Sequence, residues 1–393
     1  MLRNITKTIW ILSLVSLFTD MASEMLYPVM PLYLKQIGFS VLLIGILEGL
    51  AEATAGLSKG YFGRWSDLSG KRLPFVQWGY ALSAVAKPML ALWTYPLWVF
   101  FVRTLDRLGK GLRSGARDAL LADESSKEIR ATVFGFHRSM DTLGAALGPA
   151  LALLFLSFYP GEYKLLFLIA FFPGLLAVSC AFMLKQKPAK KEVKARPSFF
   201  SSTQYWKKSP AAYRRLCVGL LLFALFNSSD VFLLLRAREQ GMNDLSIIGM
   251  YIAFNLVYAV ASYPLGILAD RIGIKGIFIF GLVLFAAVYS GMALTRHHEV
   301  ITFLFLLYGL FAAATDGISK AWITGLTASE DRATALGSFA GFQSIAAFLA
   351  STLAGLLWLV SGPVMSLLSS ALAALLVAVY LWRRVPETAE TKS

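Results

Sequence analysis

The hydrophobic rhythm of the chain limits its fold more than any other feature. About twelve apolar stretches, each close to the length of a membrane span, follow one another with short loops between them. An α-helix needs about 20 apolar residues to cross a hydrocarbon core of about 30 Å. Within lipid the backbone must satisfy its own hydrogen bonds, so these stretches predict helices and not strands. The predicted spans of this all-α membrane protein are 9–34, 41–62, 74–93, 96–116, 133–157, 164–184, 216–235, 246–267, 276–294, 301–321, 338–360 and 363–382.

The charge of the chain is concentrated in one loop. Only 15% of the residues are charged, whereas soluble domains carry about 25%. The net charge is +14, and residues 185–215 supply +9 of it through ten Lys/Arg and the single acid Glu192. A basic loop between two hydrophobic halves is typical of a cytoplasmic segment. Motifs that read nucleic acid are absent around it, so we expect no nucleic-acid partner.

The remaining loops predict the orientation. The connections on the same side as the basic loop carry most of the other Lys/Arg residues, and the opposite loops carry few. This bias predicts cytoplasmic N- and C-termini in a multi-pass protein of the cell inner membrane. The first apolar run lacks a small-residue cleavage site and reads as a retained helix. The two cysteines, Cys180 and Cys217, provide neither a disulfide framework nor a metal-thiolate spacing.

An internal repeat divides the sequence into two halves. GRWSDLSGKR at 63–72 follows the second span and matches GILADRIGIK at 266–275 after the eighth. RATVFG at 130–135 precedes the fifth span and matches RATALG at 332–337 before the eleventh. Two copies in the same orientation predict bundles related by an axis normal to the membrane. The predicted domains are a six-helix bundle at 1–184, a basic linker at 185–213 and a second bundle at 214–393.

On these motifs the chain resembles the major facilitator superfamily over nearly its whole length. The 63–72 segment is similar to the family's loop motif, and the segment around Asp270 and Arg271 resembles the family's degenerate second copy. The resemblance implies twelve helices in two bundles, alternating access, and a cytoplasmic gate formed by Gly63, Asp67, Gly70, Arg72, Arg117, Asp270 and Arg271. The fifth-span segment is similar to a signature of exporters that exchange substrate for protons, and its residues are Arg138, Asp141, Gly144, Gly148 and Pro149.

Charges within the predicted spans are the strongest functional candidates. Counted along the helices, Asp20 lies about 17 Å deep, and Glu48 and Arg103 lie about 10 Å deep. A charge at such a depth costs about 2.5–3.5 kcal/mol, so each must pair or face water. For proton coupling and the substrate cavity we select Asp20, Glu24, Glu48, Arg103, Arg107, Asn227 and Asp230. For Glu52, Asp106, Arg138 and Asp141 we favour a structural ion-pair role, in which Arg138 and Asp141, at i and i+3, can satisfy each other.

These features favour a secondary active transporter of a small organic solute. The leading hypothesis is proton-coupled export, by antiport, of amphipathic compounds, with aromatic residues of the second half shaping the substrate site. The alternatives are a specific organic anion or zwitterion bound by Arg103 and Arg107, or a metal chelate held by Asp20, Glu24 and Glu48. No nucleophile–base, phosphate-loop or zinc motif supports an enzyme, a cofactor or a resident metal. The expected partners are the substrate, protons and the lipid bilayer, and we expect a monomer.

Overall fold

Helices make up the regular structure of the chain. The structure is a computed structural model that describes residues 5–27, 29–39, 41–185 and 201–386. The side chains of Glu48 and Glu52 lie outside the described residues, although the backbone of their helix is described. The first half contains α1 (Lys7–Glu24), α2 (Met30–Gln36), α3 (Val41–Ser69), α4 (Leu73–Leu92), α5 (Pro96–Asp123), α6 (Arg130–Phe158) and α7 (Tyr163–Phe182).

The second half repeats this pattern after a short linker helix. Its helices are α8 (Ser201–Lys208), α9 (Ala211–Ala224), α10 (Val231–Glu239), α11 (Asp244–Ile272), α12 (Ile274–Leu294), α13 (His298–Gly325) and α14 (Arg332–Arg384). The long element α14 holds the last two spans, which meet at Gly362 with φ 82° and ψ 168°, followed by Pro363. Within the described residues, six helical segments are long and apolar enough to span a membrane by length and composition alone.

Two predicted spans are broken, and the prediction of continuous helices there is wrong. Span 1 divides into α1 and α2, and span 7 divides into α9 and α10. The sequence between the two helices of the first break contains Pro28, and a proline disfavours helical geometry in the residue before it. The second break contains the polar run at 227–230, whose short side chains compete for backbone hydrogen bonds. Spans 1 and 7 occupy equivalent positions in the repeat, so the break is itself repeated.

Contacts between helices define two units. Unit 1 comprises residues 1–125, 140–207 and 328–341, and unit 2 comprises residues 126–139, 208–327 and 342–393. The start of α6 therefore packs within unit 2, and the start of α14 packs within unit 1. Both starts carry the R-A-T repeat. The boundary thus runs through two helices and not only through the basic linker.

Each unit has its own apolar core. In unit 1, Tyr33 contacts the ring of Phe167 edge-on at 4.8 Å, amid buried residues of α2, α4, α5 and α7. In unit 2, Phe285 stacks on Tyr289 at 3.9 Å, and Phe254 stacks on Tyr308 at 5.3 Å. Offset and edge-on ring pairs add about 0.5–1.5 kcal/mol beyond area burial. These rigid cores support the polar groups described below.

Candidate functional site: paired helix caps and buried charges

Asp67 caps a helix that is distant in the sequence. It lies beyond the predicted span 41–62, and its side chain is only 1% exposed. One carboxylate oxygen accepts hydrogen bonds from the Thr334 amide at 2.7 Å and from the Thr334 hydroxyl at 2.6 Å. Thr334 lies in the first turn of α14, where the backbone amides lack helical partners and the helix dipole is positive. Asp67 therefore binds the beginning of α14 in the manner of an N-cap residue.

An ion-pair chain surrounds this cap. Arg72 lies 3.1 Å from Asp67 and 3.0 Å from Asp123, and Arg332 also pairs with Asp123. Arg72 further donates to the carbonyl of Ser329 at 2.7 Å. Burial raises the pKa of Asp67 to about 7, against the lowering effects of Arg72 and of the Thr334 hydrogen bonds. The carboxylate is thus poised to change charge near neutral pH.

Asp270 repeats this arrangement in unit 2. Its two carboxylate oxygens accept from the amides of Ala131 at 2.9 Å and Thr132 at 2.6 Å, in the first turn of α6. Arg130, which begins that helix, donates to the carbonyl of Thr324 at 3.2 Å. The two matched sequence pairs therefore form two equivalent contacts. In each, the aspartate of one motif caps the helix that begins with Arg-Ala-Thr.

Glycines allow the same helices to approach closely. A Cβ atom added at Gly63 would lie 2.4 Å from the Ala333 carbonyl oxygen, and one at Gly337 would lie 2.4 Å from the Lys59 oxygen. In unit 2 the corresponding positions are Gly135 against Ser262, at 2.4 Å, and Gly266 against Ala131, at 2.5 Å. Backbones that meet without side chains between them pack at short range. We call the two sets of caps and glycines the paired helix caps.

A second cluster lies within unit 1, where α1 meets α6. Gly144 and Gly148 pack directly on α1, because a Cβ at either position would lie 2.3 Å or 2.6 Å from an α1 carbonyl oxygen. This contact brings Asp141, one turn before Gly144, beside Asp20, and their carboxyl groups are within hydrogen-bonding reach. Ser16 donates to Asp141. The fifth-span glycines therefore hold two carboxyl groups together.

Arg117 belongs to this carboxyl cluster. Its guanidinium lies 2.9 Å from Asp118 and 4.0 Å from Asp141, and it donates to the Ser16 hydroxyl at 3.2 Å. The resemblance grouped Arg117 with the gate, whereas the geometry groups it with Asp141. The cluster therefore places two carboxyl groups, those of Asp20 and Asp141, beside one guanidinium. Such a pair, beside a fixed positive charge, is suited to binding and releasing one proton.

The basic face of α5 is partly neutralised by its neighbours. Asp106 lies 3.8 Å from Lys87, which is buried and also donates to the Ser83 carbonyl. Arg113 donates to the Ser83 hydroxyl at 2.7 Å and lies over the ring of Tyr80 at 4.6 Å. Arg103 is buried and Arg107 is half-buried on the same helix. The structure thus places Asp106 beside Lys87, while its structural role stays a prediction.

A third cluster joins α6, α11 and α13 in unit 2. Arg138 pairs with Asp316 at 2.7 Å, and its Nε donates to the Tyr258 hydroxyl at 2.5 Å. Tyr258 in turn donates to Asp316, and the guanidinium lies 5.0 Å from the tyrosine ring centre. All three residues therefore contact one another. Sequence reasoning placed Arg138 in the fifth-span motif and Tyr258 among the aromatic residues that shape the substrate site, but it did not predict the hydrogen bonds that join them to Asp316.

The break in span 7 brings polar groups to an aromatic core. Asp230 accepts a hydrogen bond from Tyr308 at 2.7 Å, and Asn227 is half-buried in the same break. Tyr308 stacks on Phe254 and Phe311 at 5.3 Å each. Asn227 and Asp230 are therefore close in sequence and position, as expected. Tyr308 was missed because an isolated tyrosine in an apolar span has no distinguishing pattern.

The other selected residues are more dispersed. Glu24 is half-buried at the end of α1, whereas Arg271 is exposed near the end of α11. Gly70 adopts φ 63° in the turn between α3 and α4, and α6 continues through Pro149. Glu48, as a side chain, lies outside the described residues. Among the described residues no group of three or more His, Cys, Asp or Glu side chains is arranged to hold a metal ion.

Comparisons with known proteins identify the family. The sequence profile of the Major Facilitator Superfamily matches residues 12–255 and 231–393. An uncharacterized MFS-type transporter of Methanocaldococcus jannaschii is 33% identical over 94% of this chain and 93% of that protein. The multidrug resistance protein MdtG of Klebsiella pneumoniae is 26% identical over 72% of this chain and 69% of its own length. The chain therefore belongs to the Major Facilitator Superfamily of transporters.

Solved structures agree on the fold. The human organic anion transporter MFSD10 matches with a TM-score of 0.81 at 18% identity, covering 95% of this chain and 98% of that one. The fucose:proton symporter FucP of E. coli matches with a TM-score of 0.80 at 13% identity, covering 98% of this chain and all of that one. These likenesses establish the twelve-helix fold and carry no information about substrate.

Proposed function

We propose that this protein exports amphipathic organic compounds from the cytoplasm in exchange for protons. The observation that carries this proposal is the Asp20–Asp141 carboxyl pair, which lies between two helices of predicted spans. An uncompensated charge within a membrane is costly, so residues of this kind are retained where they bind or conduct a charge. A proton is the smallest ion that such a carboxyl pair can bind.

The coupling uses the change in hydration of this pair. When the two carboxyl groups are held together and away from water, they keep one shared proton. When α1 and α6 separate, or when water reaches Asp20, the second carboxyl ionises and the proton leaves. Arg117 stabilises the ionised form of Asp141, and Ser16 holds the orientation of its carboxylate. Proton release and helix movement are therefore linked.

The paired helix caps form the cytoplasmic gate in this proposal. With N- and C-termini in the cytoplasm, both caps lie at the cytoplasmic ends of their helices. Asp67 with Thr334, and Asp270 with Ala131 and Thr132, hold that side shut. Breaking both caps opens it, and the two six-helix halves alternate between the two access states. The gate residues predicted from sequence at 63–72 and 266–271 thus act through helix beginnings.

The choice of amphipathic compounds rests on the second half and on one relative. Its aromatic residues include a row along α11 in which Tyr251 stacks on Phe254 and Phe254 is tilted against Tyr258. The relative MdtG is a multidrug resistance protein by name. The basic face of α5 favours a second candidate, a specific organic anion or zwitterion bound through Arg103 and Arg107. A carrier of metal chelates is the third, with Asp20 and Glu24 as oxygen donors.

The proposal is tested by drug accumulation in efflux-deficient cells. We expect cells that express the protein to retain less of at least one fluorescent amphipathic compound than cells with an empty vector. Asp20→Asn abolishes this difference, because an amide cannot release a proton, while Glu299→Gln on an exposed site preserves it. Equal retention with wild type, variant and empty vector, with the protein present in the membrane, contradicts export of amphipathic compounds.

A further inference from the structure

The Arg138 cluster holds charges that are accessible to water at membrane depth. Arg138 lies eight residues after the start of α6, about 12 Å along the helix, and Asp316 lies about 14 Å from the end of α13. Both helices qualify as membrane spans by length and composition. Yet the side chains of Arg138 and Asp316 are 31% and 43% exposed. Exposed charges at such a depth require water and not lipid around them, so a dissolved molecule can reach them.

The groups around Arg138 have the chemistry of a carboxylate-binding site. A guanidinium offers planar donors that match a carboxylate, and Asp316 occupies that position at 2.7 Å. The Tyr258 hydroxyl accepts from Arg138 and donates to the carboxylate, which completes the set of hydrogen bonds. The internal carboxylate of Asp316 therefore stands where an external carboxylate would bind. The same two partners, Arg138 and Tyr258, are available to either one.

Aromatic rings of α11 lie beside the Arg138 guanidinium; Phe254 and Tyr258 are buried, and Tyr251 is accessible. Tyr251, Phe254 and Tyr258 lie on one face of α11 at helical spacing, with ring centres 5.8 Å and 6.1 Å apart. Tyr251 is partly exposed, so the row leads from an accessible ring to the Tyr258 hydroxyl. A ligand that carries a carboxylate on an aromatic ring would match this arrangement of groups. The carboxylate would meet Arg138 while the ring packs against the exposed part of Tyr251.

We propose that Arg138 recognises the carboxylate of an aromatic carboxylic acid, and that this ligand displaces Asp316 from the guanidinium. This inference rests on the proposed transport function and names the substrate class within it. Displacement frees α13 from α6 beside the place where Gly317, the residue after Asp316, packs against Phe134 and Gly135. Substrate binding therefore loosens the contacts near the Asp270 cap.

The test is equilibrium binding to the purified full-length protein in detergent, without a proton gradient. The probes are 2-naphthoate and its neutral analogue 2-naphthamide. Asp316→Asn removes the internal competitor and keeps its size, so we expect 2-naphthoate to bind about tenfold more tightly than to wild type. The affinity for 2-naphthamide stays within about twofold of wild type, and Arg138→Gln weakens 2-naphthoate at least about tenfold.

A matched variant separates recognition from general loosening. Asp331→Asn breaks the Arg64–Asp331 ion pair, 3.0 Å long, at a place remote in sequence from Arg138. It should leave the preference for 2-naphthoate over 2-naphthamide unchanged. The inference fails if Asp316→Asn leaves the affinity for 2-naphthoate unchanged, or if it strengthens both probes equally. Because Asp316→Asn predicts tighter binding, a misfolded variant cannot imitate the expected result.

The two proposals fail separately. Binding is measured at equilibrium, so it does not depend on proton coupling. If Asp20→Asn retains pH-driven transport, the coupling role is refuted while the Arg138 assignment stands. If naphthoate binding is insensitive to Arg138 and Asp316, the substrate class is refuted while proton-driven export of other compounds stands.

Discussion

If the paired helix caps form the cytoplasmic gate, as proposed, Gly337→Ala should open it. The added Cβ would lie 2.4 Å from the Lys59 carbonyl oxygen and 3.0 Å from its carbon, both backbone atoms that have no rotamer to change. An ordinary contact is about 3.4 Å or more, so α3 and α14 must separate by about 1 Å. Overpacking of this kind costs about 1–3 kcal/mol. Because the strain exists only where the helices touch, it shifts the gate toward opening by about 5- to 150-fold.

A buried thiol can report this opening. Ser66 is fully buried and shares the face of α3 that carries Gly63, so Ser66→Cys replaces a hydroxyl by a thiol of similar size. The assay uses a background without Cys180 and Cys217 and measures the rate of modification by a membrane-impermeant maleimide added to the cytoplasmic side. Because the buried thiol reacts only after the gate opens, the labelling rate is proportional to the fraction of protein in the open state. We expect Gly337→Ala to raise it by the factor given above.

The matched control is Gly276→Ala. Gly276 also lies in a helix, but a Cβ there has no neighbour within 4 Å, so the substitution carries the helix-propensity gain of about 0.5–1 kcal/mol without the clash. Labelling in this variant should match the parent protein. Equal labelling in Gly337→Ala and Gly276→Ala would refute the reasoning that the close backbone approach holds the gate.

Three other perturbations have expected outcomes. Raising the cytoplasmic pH from about 6 to about 8 should increase labelling of the Ser66→Cys thiol more in the protein with Asp67 than in an Asp67→Asn variant. The reason is that the pKa of Asp67 is about 7 in the closed structure, whereas the ordinary pKa of an aspartate is 3.8. Closure is then fully stabilised below the lower pKa and loses stability as pH rises through 7; a fall in relative labelling would contradict this sign. Asp20→Asn should abolish transport driven by a pH gradient while normal amounts of protein reach the membrane, and retained pH-driven turnover would remove Asp20 from the coupling. Tyr258→Phe should lower the free energy of unfolding by about 1 kcal/mol, seen as a lower melting temperature, because it removes the hydroxyl between Arg138 and Asp316. An unchanged melting temperature would mean that the hydroxyl contributes nothing to stability.

Much of the fold is encoded locally and could be predicted. Apolar length and loop charge predict spans because the bilayer imposes both, and the family assignment confirms the twelve-helix fold. The repeat of the 63–72 segment at 266–275, and of RATVFG at 130–135 as RATALG at 332–337, was visible in the sequence. The sequence did not reveal that Asp67 caps the helix that begins with RATALG, or that Asp270 caps the helix that begins with RATVFG. That pairing joins residues 267 positions apart in one case and 138 or 139 in the other.

The partners of the buried charges were harder to predict. Helical spacing places Asp20 and Arg138 at membrane depth but does not determine which helix lies opposite. The contact of Asp20 with Asp141 depends on Gly144 and Gly148 lying against α1, a packing choice that periodicity does not contain. The breaks in spans 1 and 7 were missed because their apolar composition continues through the break. Polar residues at 227–230 were the available signal for the second one.

The most direct test of proton-coupled export is proton movement in inverted membrane vesicles. Respiration acidifies the vesicle interior, and a pH-sensitive dye reports any proton that leaves when a compound is added outside. The compounds tested are amphipathic and include aromatic carboxylates. We predict that at least one of them releases protons from vesicles with wild-type protein. Vesicles with Asp20→Asn should release none, and those with Glu299→Gln should behave as wild type. Compound uptake without proton release by the wild type, or release that persists in Asp20→Asn, would contradict the account.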